Sequence, residues 1–130
     1  MNGAKLIVAD DSALMRQAIE TALESEYEVV ASVDSGNAAV AAAIALSPKL
    51  ILLDISMPGG LSGLEAGRQI KRVCPIILLI FLTEHYEKSY REAAFDAGGS
   101  GYVLKRQMAS ELLPAIRDVL NGKEYGRLAA

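Results

Sequence analysis

The sequence has too few cysteines for a disulfide-stabilised protein, and its apolar runs are too short for a membrane-spanning one. Its single cysteine, Cys74, cannot form an internal disulfide. The longest run of large apolar side chains covers residues 76–82, whereas a membrane-spanning helix needs roughly 20 apolar residues. No charged-then-apolar leader precedes the first apolar run. We therefore expect a cytoplasmic protein that does not enter a membrane.

Basic residues and histidine are also scarce. The 13 basic and 16 acidic residues give a formal net charge of −3, opposite to the basic surface expected of a DNA-binding domain. The single histidine, His85, gives little support for a histidine-based metal site or a catalytic triad. We expect it to lie exposed at the start of a helix. No glycine-rich loop leads into a helix as a nucleotide-binding loop would.

Length and composition predict one globular domain. The chain has 130 residues, of which 52% are hydrophobic and 22% are charged. No repeat, low-complexity stretch or internal linker interrupts the pattern, and we expect the domain to cover residues 1–122. The C-terminal tail, residues 123–130, follows an Asn-Gly helix-ending signal and has no apolar period. We interpret it as a tail or as the start of a linker.

Short apolar runs alternate with longer segments of helical period. The runs predict strands over residues 6–9, 28–33, 50–53, 76–82 and 101–104, and their continuous apolar character predicts burial on both faces. The other segments predict helices over residues 13–24, 37–45, 64–73, 87–97 and 111–120, with Ser12 and Ser110 capping the first and the last. This alternation predicts an α/β fold in which helices cover both faces of one parallel sheet.

Chemically active residues follow the carboxyl ends of four predicted strands, the edge at which open parallel sheets bind ligands. They are Asp10, Asp11, Asp54, Thr83 and Lys105. Each alone also fits a structural role, but their joint occurrence favours a functional site. Converging carboxylates repel each other, and a hard divalent cation offsets that repulsion. We expect Mg²⁺, with Mn²⁺ as an alternative and with bound phosphate completing the coordination.

These motifs resemble the receiver domain of bacterial two-component response regulators. The resemblance covers residues 5–122 and rests on Asp10-Asp11, Leu53-Asp54-Ile55-Ser56-Met57-Pro58, Thr83 and Gly101-Tyr102-Val103-Leu104-Lys105. It implies a five-stranded parallel sheet in the order 2-1-3-4-5, the flavodoxin-like receiver fold. The closest branch is the receivers of LuxR-type transcription regulators, to which Glu111-Leu112-Leu113, Ala115-Ile116, Gly122 and Tyr125 are also similar.

The resemblance implies a phosphorylation site with a bound metal ion. Asp54 would accept a phosphoryl group from a sensor histidine kinase. Mg²⁺ would be bound by Asp11, Asp54 and the main-chain carbonyl of Ser56, while Asp10 would hold a metal-bound water. A signalling switch of this kind is not a metabolic enzyme, although it would have weak self-catalysed dephosphorylation.

The resemblance also implies a switch and an output. Thr83 and Lys105 would bind phosphoryl oxygens, and the rotamer of Tyr102 would report the switch. Phosphorylation would change dimer or partner contacts, with a homodimer as one candidate assembly. DNA would be reached only through a helix-turn-helix output domain that is absent from this chain, which is either an excised receiver or a stand-alone regulator.

Three features depart from the family pattern. The loop between Pro58 and Gly63 is one residue longer and rich in glycine, Glu84 replaces a small residue, and Arg106 stands where many receivers have proline after a cis bond. Two alternative functions stay open. One is a receiver-like interaction module that works without phosphorylation. The other is a flavodoxin-like binder of a cofactor or nucleotide.

Overall fold

The computed structural model describes residues 3–127, which form one parallel sheet flanked by helices. The strands are β1 (Lys5–Ala9), β2 (Glu28–Val33), β3 (Leu50–Leu53), β4 (Leu78–Thr83) and β5 (Gly101–Leu104). The helices are α1 (Ala13–Leu23), α2 (Gly36–Leu46), α3 (Gly63–Val73), α4 (Lys88–Asp96) and α5 (Met108–Leu120), with a 3₁₀ turn (Lys105–Gln107) before α5. The strand order β2-β1-β3-β4-β5 confirms the predicted order. No helix in the described residues has the length and apolar character needed to cross a membrane.

The central strands are apolar throughout because helices cover both faces of the sheet. In β3, Leu50 and Leu52 face the layer formed by α1 and α5, whereas Ile51 and Leu53 face α2, α3 and α4. All four side chains are buried. An alternating pattern would leave polar groups in one of these two layers, so the continuous apolar run is what this position requires.

Two strand predictions are wrong in detail. β2 is an outer strand, and none of its residues is fully buried. β4 begins at Leu78 because the preceding residues form a turn, in which the Ile77 amide donates to the Cys74 carbonyl at 3.1 Å. Lys71 holds this turn by donating to the carbonyl oxygens on either side of Ile76, whose own side chain is 87% exposed.

The predicted start of the last helix is also wrong. α5 begins at Met108, directly after the 3₁₀ turn, and Ser110 lies in its first turn rather than at its N-cap. There the Ser110 hydroxyl donates to the Gln107 carbonyl at 3.3 Å. The earlier start places Pro114 in the second turn of the helix. The predicted cap of α1 is confirmed, since the Ser12 hydroxyl accepts from the Met15 amide.

The chain does not leave the sheet after α5. Gly122 ends the helix with a φ of 85°, and residues 123–127 then run along the outer edge of β5. The Tyr102 amide donates to the Tyr125 carbonyl at 2.9 Å, and the Tyr125 amide donates to Ser100 at 3.0 Å. We call residues 123–127 the C-terminal segment. The rest of the predicted tail lies outside the described residues.

Two isoleucines from the predicted fourth strand test the revised boundary. Ile80 is fully buried in β4, so Ile80→Ala should lower the free energy of unfolding by about 2–5 kcal/mol. Ile76 is exposed, so Ile76→Ala should change it by about 0.5 kcal/mol or less. Urea unfolding followed by circular dichroism measures both values. Equal losses in the two variants would contradict the turn described here.

Candidate functional site

Three carboxylates meet at the carboxyl edge of the sheet. β1 and β3 are neighbours with Ala9 opposite Leu53, so the residues that follow these strands emerge side by side. One oxygen each from Asp10, Asp11 and Asp54 lies within 4.8 Å of the others. Asp10 and Asp54 are buried, whereas Asp11 is exposed. The structure thus brings together the acidic residues that the sequence places at this edge.

Lys105 neutralises part of this charge. Its Nζ atom lies 2.7 Å from Asp10 Oδ2 and 3.0 Å from Asp54 Oδ2, and its side chain is only 10% exposed. Burial lowers the pKa of Lys105, but the hydrogen bonds to Asp10 and Asp54 outweigh burial and hold the pKa above its ordinary value. The ammonium group therefore stays charged at neutral pH.

Opposed influences act on the pKa of Asp54. Burial is the largest influence and raises the pKa of its carboxyl group, and the charge of Asp10 adds to the rise. Lys105 and the Ser56 amide, which donates to Asp54 Oδ1 at 3.3 Å, act in the opposite direction. The net result is a pKa above the ordinary value, so an ionised Asp54 is held in a less favourable setting than water.

A cavity of about 380 Å³ opens in front of Asp54. Its lining comprises Asp11, Ser12, Asp54, Ser56, Thr83, Glu84, His85 and Lys105. Thr83 ends β4, is fully buried, and accepts a hydrogen bond from the His85 amide at 3.2 Å. The predicted site residues other than Tyr102 thus lie in or beside one cavity. Asp10 is not part of the lining, but it forms an ion pair with Lys105, which is.

His85 is a site residue that the sequence analysis missed. It was expected to be exposed, but its ring is half-buried, stacks on Tyr90 at 3.9 Å and lies with Nε2 2.6 Å from Ser56 Oγ. The contact joins the β3–α3 loop to the β4–α4 loop. The only signal in the sequence was its position three residues beyond the end of the apolar run 76–82, which marks the functional edge but not the direction of the side chain.

Tyr102 lies beneath the β4–α4 loop rather than in the cavity. Its ring is buried, and its hydroxyl donates to the His85 carbonyl at 2.7 Å. The Arg91 guanidinium lies 4.6 Å from the ring centre. Burial raises the pKa of Tyr102 to about 12, so the hydroxyl keeps its proton and remains a donor.

The three departures from the family pattern have defined structures. In the longer loop, Gly59 and Gly60 have φ values of 81° and 130°, which favour glycine, and the Leu61 amide donates to the side chain of Asn37 at 3.0 Å. Glu84 is exposed at the mouth of the cavity. No cis peptide bond occurs in residues 3–127, so the bond before Arg106 is trans.

This edge can bind a hard cation and an anion next to each other. The carboxylate oxygens suit a divalent ion with oxygen ligands, and Lys105 offers a donor to an anionic group. A family model described as the response regulator receiver domain matches residues 6–117. The chain belongs to this family. Receivers of this family generally bind Mg²⁺ at a cluster of aspartates, and this structure contains such a cluster.

The curated relatives of this receiver are regulators of about twice its length. The transcriptional regulatory protein DegU of Brevibacillus brevis is 34% identical over 126 residues, which cover 95% of this chain and 53% of that protein. The oxygen regulatory protein NreC of Staphylococcus aureus is 34% identical over 123 residues, covering 93% of this chain and 57% of that protein. The chain thus spans about half the length of the curated relatives it matches.

Solved structures agree with this assignment. A LuxR-family two-component response regulator from Aurantimonas sp. superimposes with a TM-score of 0.91 at 28% identity, covering 96% of this chain and 90% of that one. The isolated receiver domain of RcsB from Salmonella enterica, in the presence of phosphomimetic BeF3−, gives 0.88 at 27% identity, with coverages of 96% and 94%. The predicted resemblance to LuxR-type receivers is confirmed.

The raised pKa of Asp54 predicts a pH-dependent cost to stability in the metal-free protein. Because the folded state holds this pKa above the unfolded value, the folded state binds the proton more tightly, and the ionised carboxyl destabilises it at neutral pH. Asp54→Asn should therefore raise the free energy of unfolding at pH 7. The gain should shrink as the pH falls through the raised pKa and vanish below the unfolded-state pKa.

Urea unfolding in EDTA at a series of pH values measures this gain. Asp96→Asn, at an exposed position in the last turn of α4, is the matched control. A gain of the same size in both variants, or one that does not change with pH, would contradict the explanation by burial.

Proposed function

We propose that this receiver accepts a phosphoryl group on Asp54 from a sensor histidine kinase. An Asp54 carboxylate oxygen forms the new bond to phosphorus while the bond from phosphorus to the donor nitrogen breaks, and the electron pair leaves with that nitrogen. The observation that carries the proposal is the ammonium group of Lys105, held 3.0 Å from Asp54 Oδ2 inside a carboxylate cluster. It is placed to bind an anionic group that arrives at this oxygen.

The metal ligands in this proposal are Asp11, Asp54 and the main-chain carbonyl of Ser56, with Asp10 holding a metal-bound water. The cluster supports this assignment because its oxygen donors suit Mg²⁺ or Mn²⁺. Its three carboxylates also carry more negative charge than the ammonium group of Lys105 can neutralise. The bound ion would neutralise charge on the phosphoryl oxygens.

Two side chains complete the phosphoryl site in this proposal. Lys105 would exchange its bond to Asp54 for one to a phosphoryl oxygen while keeping Asp10 as a partner. The Thr83 hydroxyl would donate to another phosphoryl oxygen. Both groups already lie at the cavity, so little rearrangement is required, and charge is stabilised mainly by groups in place before transfer.

The proposed output is a change in protein contacts. Phosphorylation adds up to about two negative charges at Asp54. The side chain of Tyr102, under the β4–α4 loop, would report that change to β5. In LuxR-type regulators such a change would control a DNA-binding output domain, and a homodimer is one candidate assembly. As a signalling switch rather than a metabolic enzyme, the receiver would work in the cytoplasm with its kinase.

The alternatives are less well supported. An interaction module independent of phosphorylation does not require an ammonium group and a hydroxyl beside an acidic cluster, yet Lys105 and Thr83 are both present. A nucleotide or cofactor binder of the flavodoxin type would need a phosphate-binding loop, and the cavity is lined by carboxylates instead.

Phosphorylation by a small donor tests the main proposal. With acetyl phosphate and Mg²⁺, the intact mass should increase by one phosphoryl group, and EDTA should abolish the gain. Asp54→Asn should show no gain, whereas Asp96→Asn, far from the cavity, should behave like the unmodified protein. A receiver that binds Mg²⁺ but gains no mass, from acetyl phosphate or from purified histidine kinases, would favour the interaction module.

Glu84 should slow phosphorylation because its carboxylate stands at the cavity mouth, where the anionic donor enters. Glu84→Ala should therefore be phosphorylated by acetyl phosphate a few-fold faster. Because Glu84 is exposed, the difference should shrink at high ionic strength. Glu24→Ala is the control, because Glu24 is the exposed C-cap of α1, whereas the N-cap of that helix, Ser12, lines the cavity. An unchanged rate in Glu84→Ala at low salt would remove this role.

A further inference from the structure

The C-terminal segment closes an edge of the sheet that would otherwise be open. β5 is an outer strand, and its main-chain groups need partners on that side. The Tyr102 amide donates to Tyr125, and the Tyr125 amide donates to Ser100, at 2.9 and 3.0 Å. The Tyr125 side chain also packs against the core layer of α1 and α5. The segment therefore has a defined docking site on the domain.

Three features make this docking specific. Gly126 has a φ of 85°, and a Cβ atom at this position would lie 2.2 Å from the Tyr102 carbonyl oxygen, so only glycine allows the close approach. Arg91 of α4 donates to the Gly126 carbonyl while its guanidinium group lies over the Tyr102 ring. Arg127 lies over Phe95 at 4.3 Å. Docking of the C-terminal segment thus depends on the positions of Tyr102 and α4.

A short series of hydrogen bonds joins this docking site to the cavity. The Tyr102 hydroxyl donates to the His85 carbonyl at 2.7 Å, and the His85 amide donates to Thr83 Oγ1 at 3.2 Å. Thr83 lines the cavity in front of Asp54. Tyr102 is therefore held at its hydroxyl by the β4–α4 loop and at its main chain by the C-terminal segment.

The chemistry of the Thr83 hydroxyl gives the direction of the coupling. A hydroxyl can accept a hydrogen bond and donate one at the same time. Thr83 accepts from His85, and within residues 3–127 its own proton has no acceptor. A phosphoryl oxygen on Asp54 would supply an acceptor without displacing His85. It would fix Thr83, His85 and Tyr102 in the arrangement on which the segment docks.

We propose that docking of the C-terminal segment on β5 and α4 is coupled to the state of Asp54, and that a phosphoryl group there strengthens docking. The inference rests on the proposed function, since it requires a phosphoryl group or its mimic at Asp54. Coupling between two sites is reciprocal, so a docked segment also raises the affinity of the cavity for the mimic. This reciprocity allows the coupling to be measured from both ends.

The experiment uses beryllofluoride with Mg²⁺ as the phosphoryl mimic. Fluorine NMR reports beryllofluoride bound to the protein, and amide hydrogen exchange at Tyr125 reports docking. In the unmodified chain, saturation should slow Tyr125 exchange by about fivefold or more. Gly126→Ala should undock the segment without touching the core, which should speed exchange and weaken beryllofluoride binding. Lys123→Ala, at an exposed position of the same segment, should change neither.

A second variant approaches the segment from α4. Arg91→Lys keeps the charge but loses the planar group that both binds Gly126 and covers Tyr102, so it should act like Gly126→Ala. Bound beryllofluoride with unchanged or faster Tyr125 exchange would overturn the coupling and leave the proposed function intact. Absence of any bound signal in the unmodified chain would overturn the proposed function and the coupling with it.

Discussion

One ammonium group shared by two buried carboxylates is the interaction on which the functional edge depends. Asp10 and Asp54 follow neighbouring strands in register, so the fold itself forces them together. Each buried charge carries a desolvation penalty of several kcal/mol, which only a well-placed opposite charge can offset. Lys105 supplies the pairing from the end of β5, with contacts of 2.7 and 3.0 Å. Its long side chain allows a residue two strands from Asp54 and three strands from Asp10 to contact both carboxylates.

The pairing is incomplete, and this gives the site its chemistry. Three carboxylates face one ammonium group, so the cluster keeps an excess of negative charge that a divalent cation can offset. Main-chain donors help to hold the carboxylates in place, with the Ser12 amide 2.9 Å from Asp10 Oδ1. The pKa of Asp54 lies above its ordinary value because burial outweighs the donors around it. A cluster whose charges were already balanced would gain less from binding a cation.

The sequence was sufficient to predict the strands and the edge at which they end. It was not sufficient to predict features that depend on the conformation of a loop. β3 and the residues after it were predictable because an apolar run buried on both faces must end at the ligand-binding edge. The same apolar pattern wrongly extended the predicted fourth strand back to Ile76. The sequence does not show that Lys71 holds this stretch in a turn. His85 was misplaced for a related reason, since its direction depends on contacts with Ser56 and Tyr90 from other elements.

A buried tyrosine explains how an event at one edge of the sheet can be felt at another. Tyr102 presents its side chain to the layer that contains α4, while its main chain bonds to Tyr125 along the strand edge. A buried hydroxyl needs a partner, and here the partner is the His85 carbonyl in the β4–α4 loop. Phenylalanine would fill the same volume without holding that loop. The hydroxyl therefore makes one side chain respond to the loop, and the main chain of the same residue carries the response to the edge strand.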